Sequence, residues 1–238
     1  MMIIGLVLAM VAILIDLMAV ILWRSPSKDN PEDMPRPMVS VLVAMRNEEH
    51  NVKGLIQSLR NLDYPEERIE FLIGEDRSSD RTFQLLEQEI GADTRFRIIR
   101  ILEDIPGLVA KANVIGQLMA KSHTQYYFIT DAVFRVPASW ITSLLAGLGK
   151  IDGAVGGTTV VKVKNILTGL QNMDWLLAQG LLSVARGLFG PQAISGTNMM
   201  VTKDACEIVQ PIHSPGWLAT GQQLVGRLLV GLAVAQRG

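Results

Sequence analysis

The chain has 238 residues, enough for one full-sized domain with attachments, and its net charge of −1 gives no electrostatic reason to expect nucleic acid as a partner. Apolar residues make up 49% and mean hydropathy is +0.28, an excess concentrated in residues 1–23. The single cysteine, Cys206, excludes an internal disulfide framework and a cysteine-only zinc site, and His50, His123 and His213 are too widely spaced for a metal-ligand motif.

The first element is MMIIGLVLAMVAILIDLMAVILW, residues 1–23, with Asp16 as its one ionisable side chain. About 22 helical residues at roughly 1.5 Å each reach about 33 Å, the thickness of a bilayer core. A signal peptide would want a basic start, a shorter apolar core and a small-x-small cleavage site. The start has no Lys or Arg and the run is long, so the expectation is a retained transmembrane anchor. A carboxylate facing lipid costs on the order of 3 kcal/mol, so Asp16 is expected to pack against protein or to be protonated. Residues 24–37, rich in Pro, Ser and charge, cannot pack a core and read as a linker. Arg24, Lys28 and Arg36 lie on this side of the apolar run, which by the positive-inside rule puts the body of the protein in the cytoplasm.

Val39 to Ala44 is a continuous apolar run of strand type. Asn47 is placed to cap a following helix, with Glu48 and Glu49 in its first turn. Val52, Leu55, Ile56 and Leu59 recur at helical spacing until Asn61 to Pro65 breaks it. Ile69 to Ile73 is a second strand, and Ser78 or Ser79 starts a second helix with Phe83, Leu85, Leu86 and Ile90 as its buried face. Arg97 to Leu102 is a third strand, edge-like because of its charges; Lys111 to Ala120 is a third helix and Tyr126 to Thr130 a fourth strand. This alternation predicts an α/β fold: a parallel sheet with helices on both faces. Further on, Pro137 opens a helix over Ala138 to Leu148, Val155 to Val163 reads as a strand, Ile166 to Leu188 as a long core-packing or membrane-surface helix, and Ala193 to Val201 as one more strand.

Three of these strands run into acidic or polar groups: VSVLVAMRNEE (Val39 to Glu49), GEDRSSDRT (Gly74 to Thr82) and ITDA (Ile129 to Ala132). In an open α/β sheet such ends face one crevice, where ligands bind. Glu48 and Asp76 are placed to meet the base and ribose of a nucleotide, and Arg46 and Lys111 to offset phosphate charge. A diphosphate takes a divalent cation through one or two carboxylates plus its own oxygens, and Asp131 is placed for that. Singly, Glu48 reads as a helix-dipole carboxylate and Asp76 as a turn residue; as an ordered set on successive strand ends they read as a site. No G-x-G-x-x-G follows the first strand, where RNEE stands, and no G-x-x-x-x-G-K-[ST] occurs, which opposes a dinucleotide dehydrogenase and excludes a P-loop enzyme.

VSVLVAMRNEE with NVKGLIQSL and NLDYP resembles the opening of the family 2 glycosyltransferases, the inverting GT-A group. EDRSSDRT resembles that family's DDGSTD turn, KANVIGQLMAKS with YYFITDAVFRVPASWI its lysine helix and DxD strand, and SGTNMMVTKDA its acceptor-side segment. The resemblance covers residues 38–206, which would form the GT-A domain, and is strongest to membrane-anchored bacterial members that build polysaccharide or modify lipid carriers. It implies a Rossmann-like, mostly parallel sheet behind an N-terminal transmembrane helix, at the cell inner (plasma) membrane with the catalytic domain cytoplasmic. It implies transfer of a sugar, with inversion, from a nucleoside-diphosphate sugar (uridine being the expected base) to a glycan or lipid-linked acceptor. Carried over by position, Ala44, Arg46, Glu48 and Asp76 would be nucleotide contacts. Lys111 and Asp131 would be phosphate and metal contacts, with Mg²⁺ or Mn²⁺ as cofactor, and Gly196 and Asn198 would line the acceptor side.

The sequence departs from that pattern in ways that matter. Asp131-Ala132-Val133 puts a valine where the second carboxylate of DxD belongs, which weakens divalent-ion binding. Arg77 takes the place of the turn glycine. After Asn198 the only acids are Asp204 and Glu207, neither placed as the general-base Asp of the family's T-E-D element, and no Q-x-x-R-W element follows. The expectation is donor binding with weak or no transfer, or else a catalytically silent nucleotide-sugar-binding subunit of a polysaccharide assembly complex. Residues 207–238 do not continue the family pattern, so the chain is expected to be truncated, or read out of frame after about Val209.

Overall fold

A computed structural model describes residues 35–106, 108, 110–148, 153–189 and 196–208. The expected anchor, most of the expected linker and the tail from residue 209 lie outside the described residues. Among the described residues no helix is long and apolar enough to cross a membrane. They fall into two compact units, one holding residues 35–157 and 196–208, the other residues 158–189.

The larger unit is built on a six-stranded sheet. Its strands are β1 (Val39–Met45), β2 (Ile69–Glu75), β3 (Phe96–Arg100), β4 (Tyr126–Asp131), β5 (Ala154–Gly156) and β6 (Asn198–Thr202), in the spatial order β3-β2-β1-β4-β6-β5. β1 pairs in parallel with β2 and β4, and β2 with β3; β6 runs antiparallel between β4 and β5. The sheet is therefore mixed, with five strands running one way and β6 reversed between β4 and β5. The helices of this unit are α1 (Val52–Arg60), α2 (Thr82–Ile90), α3 (Ala110–Lys121), α4 (Trp140–Ala146) and, after β6, a short Lys203–Ile208 helix.

Side chains alternate between the two faces with the period of two that a strand imposes. Val39, Val41, Val43 and Met45 of β1, with Ile69, Phe71 and Ile73 of β2, join Val52, Leu55, Ile56 and Leu59 of α1, Leu86 of α2 and Trp140 of α4 in one core. Leu42 of β1, Leu72 of β2 and Ile129 of β4 join Val114, Ile115 and Leu118 of α3 in the other. Both faces of β1 are covered, which is why it reads as an unbroken apolar run. Each fully buried Leu, Ile or Phe side chain contributes about 1.5–3 kcal/mol. Phe71 also stacks on Phe96 of the edge strand, ring centroids 4.2 Å apart.

Several expectations are corrected. Asn47 does not cap α1: the helix begins at Val52, and Asn47 stands in a left-handed conformation at φ 55°. Likewise α2 begins at Thr82, not at Ser78 or Ser79, and α4 spans Trp140–Ala146, shorter than expected at both ends. The strand read over Val155 to Val163 ends at Gly156. Beyond it the chain enters the smaller unit, where backbone groups are satisfied by side chains of the helix α5 (Ile166–Phe189) instead of a neighbouring strand. Gln179 accepts from the Thr159 amide (2.9 Å) and donates to the Thr159 carbonyl (2.8 Å), and Asn172 accepts from the Val161 amide (2.7 Å). β6 begins at Asn198, later than the Ala193 start expected for it, and residues 193–195 lie outside the described ones.

Candidate active site

The chain lays β2 and β3 on one side of β1 and then returns to lay β4 on the other, so β1 and β4 flank the point where the winding reverses. Ligands of open α/β sheets bind at the carboxyl ends of the strands at that point. In register there, Ala44 lies between Gly74 and Asp131, and Met45 lies beside Glu75. β6 enters from the opposite direction with Asn198 against Thr130, so Gly196 and Asn198 arrive at the same edge.

Two loops are sewn together along this edge. The Asn47 amide donates to Ser78 Oγ (3.1 Å), and Asn47 Oδ1 accepts from the Ser79 amide (2.8 Å). The Glu48 amide donates to Thr82 Oγ1 (2.8 Å) and the Glu49 amide to Asp80 Oδ2 (3.2 Å). These tertiary bonds hold residues 46–51 out of the helix that local capping chemistry suggested. The Glu48 carboxylate accepts from Asn51 Nδ2 at 2.7 Å, at the entry to α1.

Asp76 is buried, its amide donating to the Met45 carbonyl at 2.9 Å. Its carboxylate takes Arg77 Nε at 3.0 Å on one oxygen and lies 3.8 Å from the Arg46 guanidinium on the other. Arg77 sits at φ 52°, the left-handed region that the turn demands and that glycine would enter without strain. Its second nitrogen donates to Asp104 Oδ1 at 2.9 Å, and that oxygen also accepts from the buried Asn113 of α3. Asp104 and then Asp76 hold the Arg77 guanidinium further toward its charged form. Glu75, also buried, accepts from the Ser78 amide at 2.6 Å and lies 3.7 Å from Arg100 Nε.

On the other side of β1, the Lys111 ammonium donates to Asp131 Oδ1 and to the Gly196 carbonyl (2.8 Å), joining α3, β4 and the entry to β6 at one point. The preceding residue, Ala110, is a non-glycine at φ 48°. Asn198 Oδ1 accepts from Trp140 Nε1 at 2.8 Å. Arg135 donates to the carbonyls of Ala132 and Phe134 and lies over Gly54, where any Cβ would come within 2.5 Å of it.

The expected residues thus gather in two groups at one sheet edge: Arg46 with Asp76, and Lys111 with Asp131 and Gly196, with Ala44 in register between. Glu48 is tied to Asn51 instead of to either group. Sequence reasoning missed Asp104, Asn113 and Arg135 as parts of this edge. A long side chain at a turn position needing positive φ was the signal for the Arg77 clamp, and Gly54 on an otherwise well-packed helix was the signal for Arg135.

The side chains present do not fit a carboxylate-held divalent cation. Val133 is 54% exposed and offers no ligand atom, and the one remaining carboxylate of that strand end, Asp131, is engaged by Lys111.

Residues 40–208 match the profile of "Glycosyl transferase family 2". The chain is 26% identical over 192 residues to the "Probable glycosyltransferase YdaM" of Bacillus subtilis (strain 168), covering 78% of this chain and 44% of that protein. It is 31% identical over 104 residues to the "Beta-monoglucosyldiacylglycerol synthase" of Synechocystis sp., covering 44% of this chain and 21% of that one. The chain therefore spans less than half the length of these curated relatives. Among solved structures, the mannosyltransferase PcManGT from Pyrobaculum calidifontis, in complex with GDP-Man and Mn²⁺, matches with a TM-score of 0.63 at 18% identity, over 84% of this chain and 55% of that one. At that identity the likeness concerns the GT-A-like fold.

Proposed function

The chain belongs to glycosyl transferase family 2, and we propose that it binds a nucleoside-diphosphate sugar, with uridine the expected base, and transfers the sugar with inversion to a glycan or lipid-linked acceptor. The observation that carries this reading is the meeting of Lys111, Asp131 and the Gly196 carbonyl at the sheet edge, in register with Ala44. Arg46 and Lys111 lie on either side of β1 and would offset the diphosphate, while Asp76 would face the base and ribose. In the reaction the acceptor oxygen attacks the anomeric carbon from the face opposite the diphosphate. The bond from that carbon to the phosphate oxygen breaks and its electron pair leaves with the diphosphate, whose charge Lys111 would stabilise. The proton of the acceptor hydroxyl goes to a base for which no described residue stands in the family's position. The domain, residues 38–206, would work on the cytoplasmic side of the inner membrane, behind an anchor over residues 1–23 and a linker over 24–37. The apolar run and the flanking Arg24, Lys28 and Arg36 support that placement.

Val133, in place of the second carboxylate of the DxD strand end, favours a second reading, a catalytically silent nucleotide-sugar-binding subunit of a polysaccharide assembly complex. Transfer or hydrolysis of UDP- and GDP-sugars by the purified full chain, beside Asp131→Ala, separates the two. Turnover that the substitution lowers at least about tenfold, or about 1.4 kcal/mol, supports the transferase. Binding without turnover supports the silent subunit.

A further inference from the structure

We infer that the Lys111 ammonium takes the place of a divalent cation in this chain, so that a nucleoside diphosphate binds without a metal ion. This rests on the donor-site reading above and deepens it. A divalent ion bridging protein and diphosphate needs carboxylate charge to hold it. Here Val133 removes one carboxylate from the strand end, and its 54% exposure places an apolar side chain at the surface where an acidic one was expected. The remaining carboxylate, Asp131, already carries an ammonium on Oδ1. A cation arriving at that oxygen would meet a charge of its own sign at close range, or would have to expel it, with no second acid to replace the lost attraction.

The geometry also fits Lys111 for the substitute role. An ammonium has three N–H donors and no acceptor. Among the described residues, Asp131 Oδ1 and the Gly196 carbonyl take two of them, leaving one for a phosphate oxygen. Lys111 and Asp131 are 26% and 27% exposed, open enough to reach a ligand yet held on two sides. Ala110, directly before Lys111, keeps a left-handed backbone that an L-residue enters only at some energetic cost. The Arg46 guanidinium, 61% exposed beside Asp76, supplies a second positive group at the same edge.

The test is isothermal titration of the full chain with UDP and with GDP, in EDTA and in Mn²⁺. The expected result is binding of one of the two in EDTA, with affinity within about threefold of that in Mn²⁺ and weakened at least about tenfold in Lys111→Met of unchanged melting temperature. Val133→Asp, at an exposed position, restores the second carboxylate and is expected to make the same ligand bind more tightly in Mn²⁺ than in EDTA. Binding that requires Mn²⁺ in the natural chain overturns the inference but keeps the donor site. Unchanged affinity of Lys111→Met in EDTA also overturns it. Absence of binding in both buffers removes the donor site itself, and the inference with it.

Discussion

Arg77 donates through Nε to Asp76 Oδ1 at 3.0 Å from a backbone at φ 52°. The two residues are neighbours in sequence, and the turn that joins them holds Arg77 in the left-handed region. Its guanidinium then bridges Asp76 to Asp104, tying the end of β2 to the loop that leads into α3. Left-handed geometry costs an L-residue roughly 1–2 kcal/mol, and the solvent-screened ion pairs of an exposed arginine offset little of it. Arg77→Ala keeps the strain and loses both pairs; Arg77→Gly loses the pairs and the strain together. Urea unfolding is expected to find the glycine variant more stable than the alanine variant by roughly 0.5–1 kcal/mol. Equal stability, or a more stable alanine variant, would show that the turn is not strained.

Gly74 sets how closely α3 approaches the sheet. A Cβ there would come within 2.3 Å of Val114 Cγ1 and 3.4 Å of the Leu118 methyls. Val114 is fully packed and cannot retreat, so Gly74→Ala is expected to destabilise the fold by about 1–3 kcal/mol. The double variant Gly74→Ala with Val114→Ala should recover part of that loss, read as a positive coupling in a double-mutant cycle. Additive effects would mean that the helix shifts as a body.

Asp93 predicts an acid dependence remote from the site, at the amino end of the parallel strands. Hydrogen bonds from Arg95 hold its carboxyl well below the usual range, down to about 2 from 3.8, with Arg60 adding to the effect. The folded state therefore binds this proton less readily than the unfolded state. The stabilisation is fully present above pH 3.8 and is lost as pH falls through about 2. Melting temperatures measured across that window should fall less steeply for Asp93→Asn than for the natural chain. Parallel curves would show that the arginines give Asp93 no preferential hold in the folded state.

Much of the fold is legible in the residues because the signals are local. Val39 to Met45 is apolar throughout since both its faces are covered, and Val52, Leu55, Ile56 and Leu59 form the buried stripe of α1 as their spacing requires. The strand ends bearing Asp76 and Asp131, and the helix bearing Lys111, follow from the same patterns. What local chemistry could not reveal are contacts made by residues far apart. Asn47 looks like a helix cap until Ser78 and Ser79, some thirty residues on, claim its backbone amide and its side-chain Oδ1. The stretch after Gly156 looks like a strand until Asn172 and Gln179 satisfy its backbone. Lys111 meets Gly196 across 85 residues, a pairing that spacing alone does not foretell.

A crystal structure of the full chain with UDP or GDP bound decides whether the carboxyl ends of β1, β2 and β4 hold a nucleoside diphosphate. The expected result is a phosphate oxygen within hydrogen-bonding distance of Lys111 Nζ, and the base and ribose on the Asp76 side of β1. A nucleotide lodged elsewhere, with Lys111 still turned wholly to Asp131 and Gly196, would contradict it.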